Sequence, residues 1–251
     1  MLRWLNVLGF AGTVAVNTLA NVLPIAGVKT EDVSLKYQNL FTPADFTFVI
    51  WGPVYALLAG FVWYQAKDEN GELTRKCGPW FFISSVLNAL WMILWHYELL
   101  GWSVACMLGI VIALTVLSRR LLEEKETWQE KVFVQGGIGL YYGWILIAAV
   151  ANAAAFLVQT GVTPFGVSQQ ACTMAIMVLT ALLAIAILQR FGNILFGVAI
   201  VWGFIGVIAQ HLTEYRGQFM FSGAAGITAA LMVIVQLVLM RIEGEKRRAL
   251  E

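Results

Sequence analysis

The sequence predicts an all-α integral membrane protein, a bundle of about eight transmembrane helices with no sizeable soluble domain. Three observations predict it. Of the 251 residues, 60% are hydrophobic and 12% charged, about half the charged share of a soluble domain. Apolar stretches of about 20 residues, the length that crosses a bilayer, recur along the whole chain. Lysine and arginine gather in alternate connections, as they do in loops on the cytoplasmic side.

The spans follow in order. Residues 5–28 are too long for a signal-peptide core and precede no soluble domain, so they read as the first membrane helix. Asn17 and Asn21 lie four apart there and share a face. The outer connection 29–45 is polar, then aromatic, with Tyr37, Phe41 and Pro43. Residues 46–66 form the second span, with Phe48, Trp51 and Tyr55 on one face. The inner connection beginning Lys67-Asp-Glu-Asn-Gly-Glu72 reads as a plain turn. The third span, 79–99, carries Asn88, Trp91 and Trp95 on one face, and Gly101 turns the chain into the fourth, 101–121. Arg119 to Lys131 mixes both signs of charge and reads as a solvated helical extension. The fifth span, 132–158, carries Trp144, Ala148 and Asn152 on one face. Spans 168–188, 194–210 and 218–240 complete the set. The seventh is short, which suggests an odd tilt, a re-entrant path or a thinned bilayer.

With the N-terminus inside, thirteen of the sixteen Lys and Arg fall on the inner side, leaving Lys29, Lys36 and Arg216 outside. This predicts both termini cytoplasmic, and the loop charges fit a bacterial plasma membrane. A net charge of +1 gives no basic excess for nucleic acid. Cys77, Cys106 and Cys172 have neither disulfide nor zinc spacing. The spans hold almost no ionisable group, no lysine for a retinal, no carboxylate ladder and no arginine row. That argues against a coupled pump or a voltage sensor. There is no phosphate-binding loop and no HExxH pair. No motif requires a cofactor, and no acid–base pair demands enzymatic chemistry.

Polarity within the spans comes from amides and rings. Asn17, Asn21, Asn88 and Asn152 must face the bundle, either as helix-to-helix glue or as pocket-lining donors. Nine of the ten tryptophans precede residue 160. Trp4, Trp63, Trp80, Trp102 and Trp128 lie near helix ends, where an interfacial belt accounts for them. Trp91 and Trp144 lie near helix centres, where a belt does not. The three ring-bearing faces fit plain aromatic packing, or the walls of an apolar pocket with a few polar handles.

Four stretches resemble the tryptophan-rich sensory protein family, whose animal relatives are the translocator protein or peripheral benzodiazepine receptor. Tyr37-x-x-Leu40-x-x-Pro43 resembles that family's first-loop pattern. Phe48-Val-Ile-Trp51-Gly-Pro-Val-Tyr55 with Gly60 resembles its F-x-x-VW-x-x-LY-x-x-x-G signature. Leu87-Asn88-x-x-Trp91 resembles its LN-x-x-W. Tyr142-x-Trp144-x-x-x-Ala148-x-x-x-Asn152 resembles its Y-x-x-W-x-x-x-A-x-x-x-N, with the tyrosine shifted by one. The family's double proline is a single Pro43 here, and its aromatic pair after LN-x-x-W is Trp95-His96.

The resemblance covers residues 5 to 160 and implies a five-helix ligand-binding bundle over 1–160. Residues 161–251 would then be a three-helix extension with a cytoplasmic tail. It implies a sensor or carrier of flat hydrophobic ligands: tetrapyrroles such as protoporphyrin or haem, and sterol-like or drug-like molecules. Carried over, the pocket would use Phe48, Trp51, Tyr55, Asn88, Trp91, Trp144, Ala148 and Asn152, under a lid of Tyr37, Phe41 and Pro43. Trp51 and Trp144 would be the candidates for a photochemical role. The competing expectations are a facilitative transporter or exporter using all eight helices, and a membrane accessory subunit docked through the last three. Gly139-x-x-x-Gly143 and Gly223-x-x-Gly226 permit close helix contact, and family members often dimerise, so a homodimer is a further expectation.

Overall fold

A computed structural model describes residues 1–23, 25–122, 127–162, 166–216 and 218–250. Lys125 and the side chains of Asn21, Arg247 and Arg248, which entered the expectations above, lie outside them. The described residues form ten α-helices: α1 (Leu2–Val22), α2 (Thr30–Lys36), α3 (Trp51–Lys67), α4 (Glu72–Cys77), α5 (Trp80–His96), α6 (Leu100–Arg120), α7 (Gly137–Thr160), α8 (Gln169–Phe191), α9 (Ile194–Thr213) and α10 (Met220–Leu250). Seven helical stretches are long and apolar enough to cross a membrane, and α5 is a shorter apolar helix. The chain is a multi-pass all-α membrane protein.

The short span is therefore the third and not the seventh. α5 has 17 residues, whereas α9 has 20. Pro79 precedes α5, and the left-handed Glu98 (φ 57) turns the chain sharply after it. The connection after Lys67, expected as a plain turn, is more than that, since α4 occupies Glu72–Cys77. The second span begins as a 3-10 segment, Asp45–Ile50, before α3 takes over, and Thr47 Oγ1 closes its first turn on Ala44 O at 2.5 Å. Its Pro53 falls in the first turn of α3, where proline is tolerated. Ser168 and Asn193 cap α8 and α9 with side-chain oxygens on Ala171 N and Phe196 N.

α7 is the hub. In its span, which includes the π-helical segment Glu130–Gly136, 56% of the most apolar window is buried inside the protein, against 25% for α1 and 22% for α10. α1 packs on α5, α5 on α6 and α6 on α7, with α3 laid against α7 and α1. On its other flank α7 packs on α9, and α8 and α9 both pack on α10. The α7–α9 seam is closely fitted. A Cβ on Gly143 would overlap the Phe196 carbonyl oxygen, and one on Gly139 would overlap the Asn193 side chain. Gly226 packs against Ile208 and Met177. Both small-residue stripes thus serve contacts within one chain.

Candidate ligand-binding site

The connection 29–45 folds over the ends of α3, α5 and α7 and closes a cavity of about 40 Å³. Phe48 and Trp51 line it from the second span, Trp91 and Trp95 from α5, and Trp144, Ala148 and Asn152 from α7. Thr30 and Ser34 of α2, with Asn39, Thr42 and Pro43, form its roof. The rings meet edge to face, the arrangement their quadrupoles favour. Phe48 and Trp144 are 5.9 Å apart at 86°, and Trp51 and Trp144 6.3 Å apart at 87°.

The polar inventory of this cavity is one-sided. Trp95 Nε1 donates to Thr30 O at 3.1 Å, and Ser103 Oγ donates to Asn152 Oδ1 at 2.7 Å. Trp91 Nε1, Trp144 Nε1 and Asn152 Nδ2 have no hydrogen-bond partner in the protein, on residues only 5%, 1% and 2% exposed. An unsatisfied buried donor costs about 1–3 kcal/mol. Three on one small cavity form a site that asks for acceptors. As it stands, 40 Å³ holds water-sized guests, since one water needs about 10–15 Å³ on this measure.

A second cavity of about 280 Å³ lies on the other side of Phe48, Trp51 and Thr30, which line both. Asn17, Thr18, Glu31, Tyr55 and Met92 complete its walls. Trp51 stacks on Tyr55 at 5.2 Å and 21°, and the Tyr55 hydroxyl has no protein partner. Phe48 and Trp51 are thus a partition. Swung aside, they would join two spaces that together reach about 300 Å³, the lower bound of ordinary ligand pockets.

Of the residues expected at the site, Phe48, Trp51, Trp91, Trp144, Ala148, Asn152 and Pro43 line the central cavity, and Tyr55 lines its neighbour. Asn88 lines neither. It is fully buried, and its Oδ1 accepts from Asn17 Nδ2 at 2.9 Å, tying α1 to α5. Phe41 does not face the cavity either. Asn39 N donates to Thr42 Oγ1 and Phe41 N to Asn39 Oδ1, and this tight turn aims the Phe41 ring at Phe204 of α9, 6.4 Å away. Tyr37 stands above the cavity and donates to Glu98 Oε2 at 2.5 Å.

The roof is fastened on two sides by residues the sequence motifs did not flag. On one side, Lys36 Nζ donates to both Glu98 oxygens at 2.7 and 2.6 Å, and Gln159 Nε2 donates to Glu98 O at 2.8 Å. The hydrogen bond from Lys36, then that from Tyr37, holds the Glu98 carboxyl below its usual range, and Glu98 in turn raises Lys36. On the other side lies α9. Trp202 Nε1 donates to Thr47 O at 2.9 Å, Ala44 N to Gly206 O at 3.0 Å, and Tyr215 OH to Asn39 O at 3.2 Å. Gly206 is required there, because a Cβ would overlap Thr47 Oγ1. One signal was available in the sequence: Trp202 is the lone tryptophan after residue 160.

A family model described as TSPO-like protein matches residues 3–240, a stretch that takes in all eight spans. No curated protein and no solved structure matches the chain. The match extends beyond the motif-bearing spans into α8, α9 and α10, and so takes in α9, which carries the roof's second fastening. The chain belongs to the TSPO-like protein family.

Proposed function

We propose that the protein is a membrane sensor or carrier that binds a flat, largely apolar ligand with acceptor atoms at its edge, a tetrapyrrole such as protoporphyrin being the leading class. The observation that carries this reading is the set of three unpaired buried donors, Trp91 Nε1, Trp144 Nε1 and Asn152 Nδ2, among rings on one cavity. The rings supply stacking area, and the donors would orient carboxylate, carbonyl or ring-nitrogen acceptors in a setting where water does not compete. Ligand entry parts Phe48 and Trp51, merging the two cavities beneath the roof.

The test is a titration of purified protein with protoporphyrin IX, read by the shift of the porphyrin's main absorption band. Trp144→Phe keeps a ring and removes one donor, and Asn152→Leu removes another. Each should weaken binding about tenfold, the effect of losing ~1–1.5 kcal/mol. Wild-type affinity in both variants would sink the assignment.

A further inference from the structure

A third cavity, of about 330 Å³, lies at the roof end of the bundle between the end of α7 and the start of α8. Leu157, Val158 and Ile176 make its apolar walls, and Asn39, Gln169 and Thr173 bring uncharged polar groups to it. No charged side chain lines it among the described residues. Asn39 also lines the central cavity, so the two spaces meet at this residue.

That placement matters because the roof is fastened. Lys36 and Tyr37 hold one edge to Glu98, and Trp202, Gly206 and Tyr215 hold the other to α9. A ligand lifting the roof would break both sets of bonds at once. A ligand passing from the α7–α8 cavity turns only the Asn39 side chain, which is held by two bonds, Nδ2 to Tyr37 O at 3.2 Å and Oδ1 from Phe41 N at 2.9 Å, and leaves the Asn39 carbonyl on Tyr215. The volumes agree with this order of events: 330 Å³ already lies within the range of ligand pockets, whereas 40 Å³ does not.

We infer that the α7–α8 cavity is a second ligand site, a vestibule that takes a flat, mostly apolar molecule with a hydrogen-bonding edge and passes it to the central cavity across Asn39. This rests on the central cavity being a ligand site. The vestibule gives part of the extension a role in access, since α8 forms one of its walls.

The chain carries its own reporter. Cys172 lines the vestibule and is half-buried, whereas Cys77 and Cys106 are buried. Burial also pushes the Cys77 thiol up to about 12. The experiment measures the association rate of protoporphyrin IX by stopped-flow absorbance. It compares wild-type protein, protein alkylated after folding with a pyrene maleimide, and Thr173→Trp, with Cys172→Ser as the alkylation control. A blocked vestibule should slow association by about tenfold or more and leave the equilibrium affinity within about twofold, because an obstructed path slows entry and exit together. The Cys172→Ser protein should be indifferent to the maleimide. An unchanged rate in both blocked forms, with normal affinity, would overturn the vestibule and leave the central site standing. Absence of binding in unmodified protein would overturn the central site, and the vestibule with it.

Discussion

The two flanks of α7 are built on opposite terms. On the α9 side, glycines bring backbones into contact, and Gly143 and Gly206 leave no room for a methyl group. On the side facing α1, α3 and α5, large rings meet loosely around two cavities. Packed glycines on that side, Gly9 and Gly60, meet the side chains of Phe82 and Phe133 and no backbone. The tight flank resists deformation, because close-packed surfaces have few alternative arrangements. The loose flank keeps space and unpaired donors for something else to fill. The fixed seam provides a platform from which α9 steadies the roof, while adjustment is confined to Phe48, Trp51 and their neighbours.

The sharpest way to break this contrast is one substitution made in the seam and at an exposed position of α1. Gly143→Ala drives a methyl group into the Phe196 carbonyl and should cost about 2–3 kcal/mol, the upper range for overpacking. Gly12→Ala meets nothing and should be neutral or gain up to ~1 kcal/mol from helix propensity. Thermal unfolding in detergent distinguishes them, and equal effects would mean that the α7–α9 seam is not tight as described.

A smaller effect is expected at the roof's second fastening. Trp202→Phe keeps the ring beside Phe46 and removes the bond to Thr47 O, at a cost of about 1 kcal/mol. Amide exchange in residues 44–47 should speed up while the α7–α9 seam keeps its protection. Exchange that rises equally along α9 would show that Trp202 holds the bundle and not the roof.

The smallest effect concerns the exposed latch. The folded Glu98 carboxyl titrates below its ordinary value, so its contribution is present above that value and is lost as pH falls through the lowered one. Lys36 titrates above its ordinary value, so its contribution is complete below that value and is lost as pH rises through the raised one. The latch is therefore intact across neutral pH and opens in acid. Amide exchange over residues 30–37, corrected for intrinsic rates, should accelerate at low pH in wild-type protein. In Glu98→Gln it should be fast already at pH 7. Exposed ion pairs contribute little, so unfolding temperature should barely move.

The membrane class, the order of the apolar helices and the ring-bearing faces were legible in the sequence, because apolar length and helical spacing are local properties. Phe48, Trp91, Trp144, Ala148 and Asn152 reach one cavity because their motifs place them on faces that all turn toward α7's roof end. Asn88 shares a face with Trp91, yet lies a turn deeper, where Asn17 claims its oxygen. Phe41 was misplaced because two hydrogen bonds within residues 39–42 reverse its direction, which spacing along a loop does not encode. The role of α9 was invisible for a different reason. It depends on residues about 155 positions apart in the chain, Trp202 and Thr47, meeting through a backbone carbonyl that has no sequence signature.

The central claim is that the space beside Ala148, and not the outer surface of the bundle, receives the ligand. Ala148→Trp would fill the cavity from α7 while leaving Trp144, Asn152 and the α7–α9 seam unchanged. Equilibrium binding of protoporphyrin IX to this variant, with unfolding temperature measured on the same sample, tests it most directly. The account predicts affinity reduced by about a hundredfold, equivalent to ~2.7 kcal/mol, in protein that still folds. Wild-type affinity in the folded variant would contradict it.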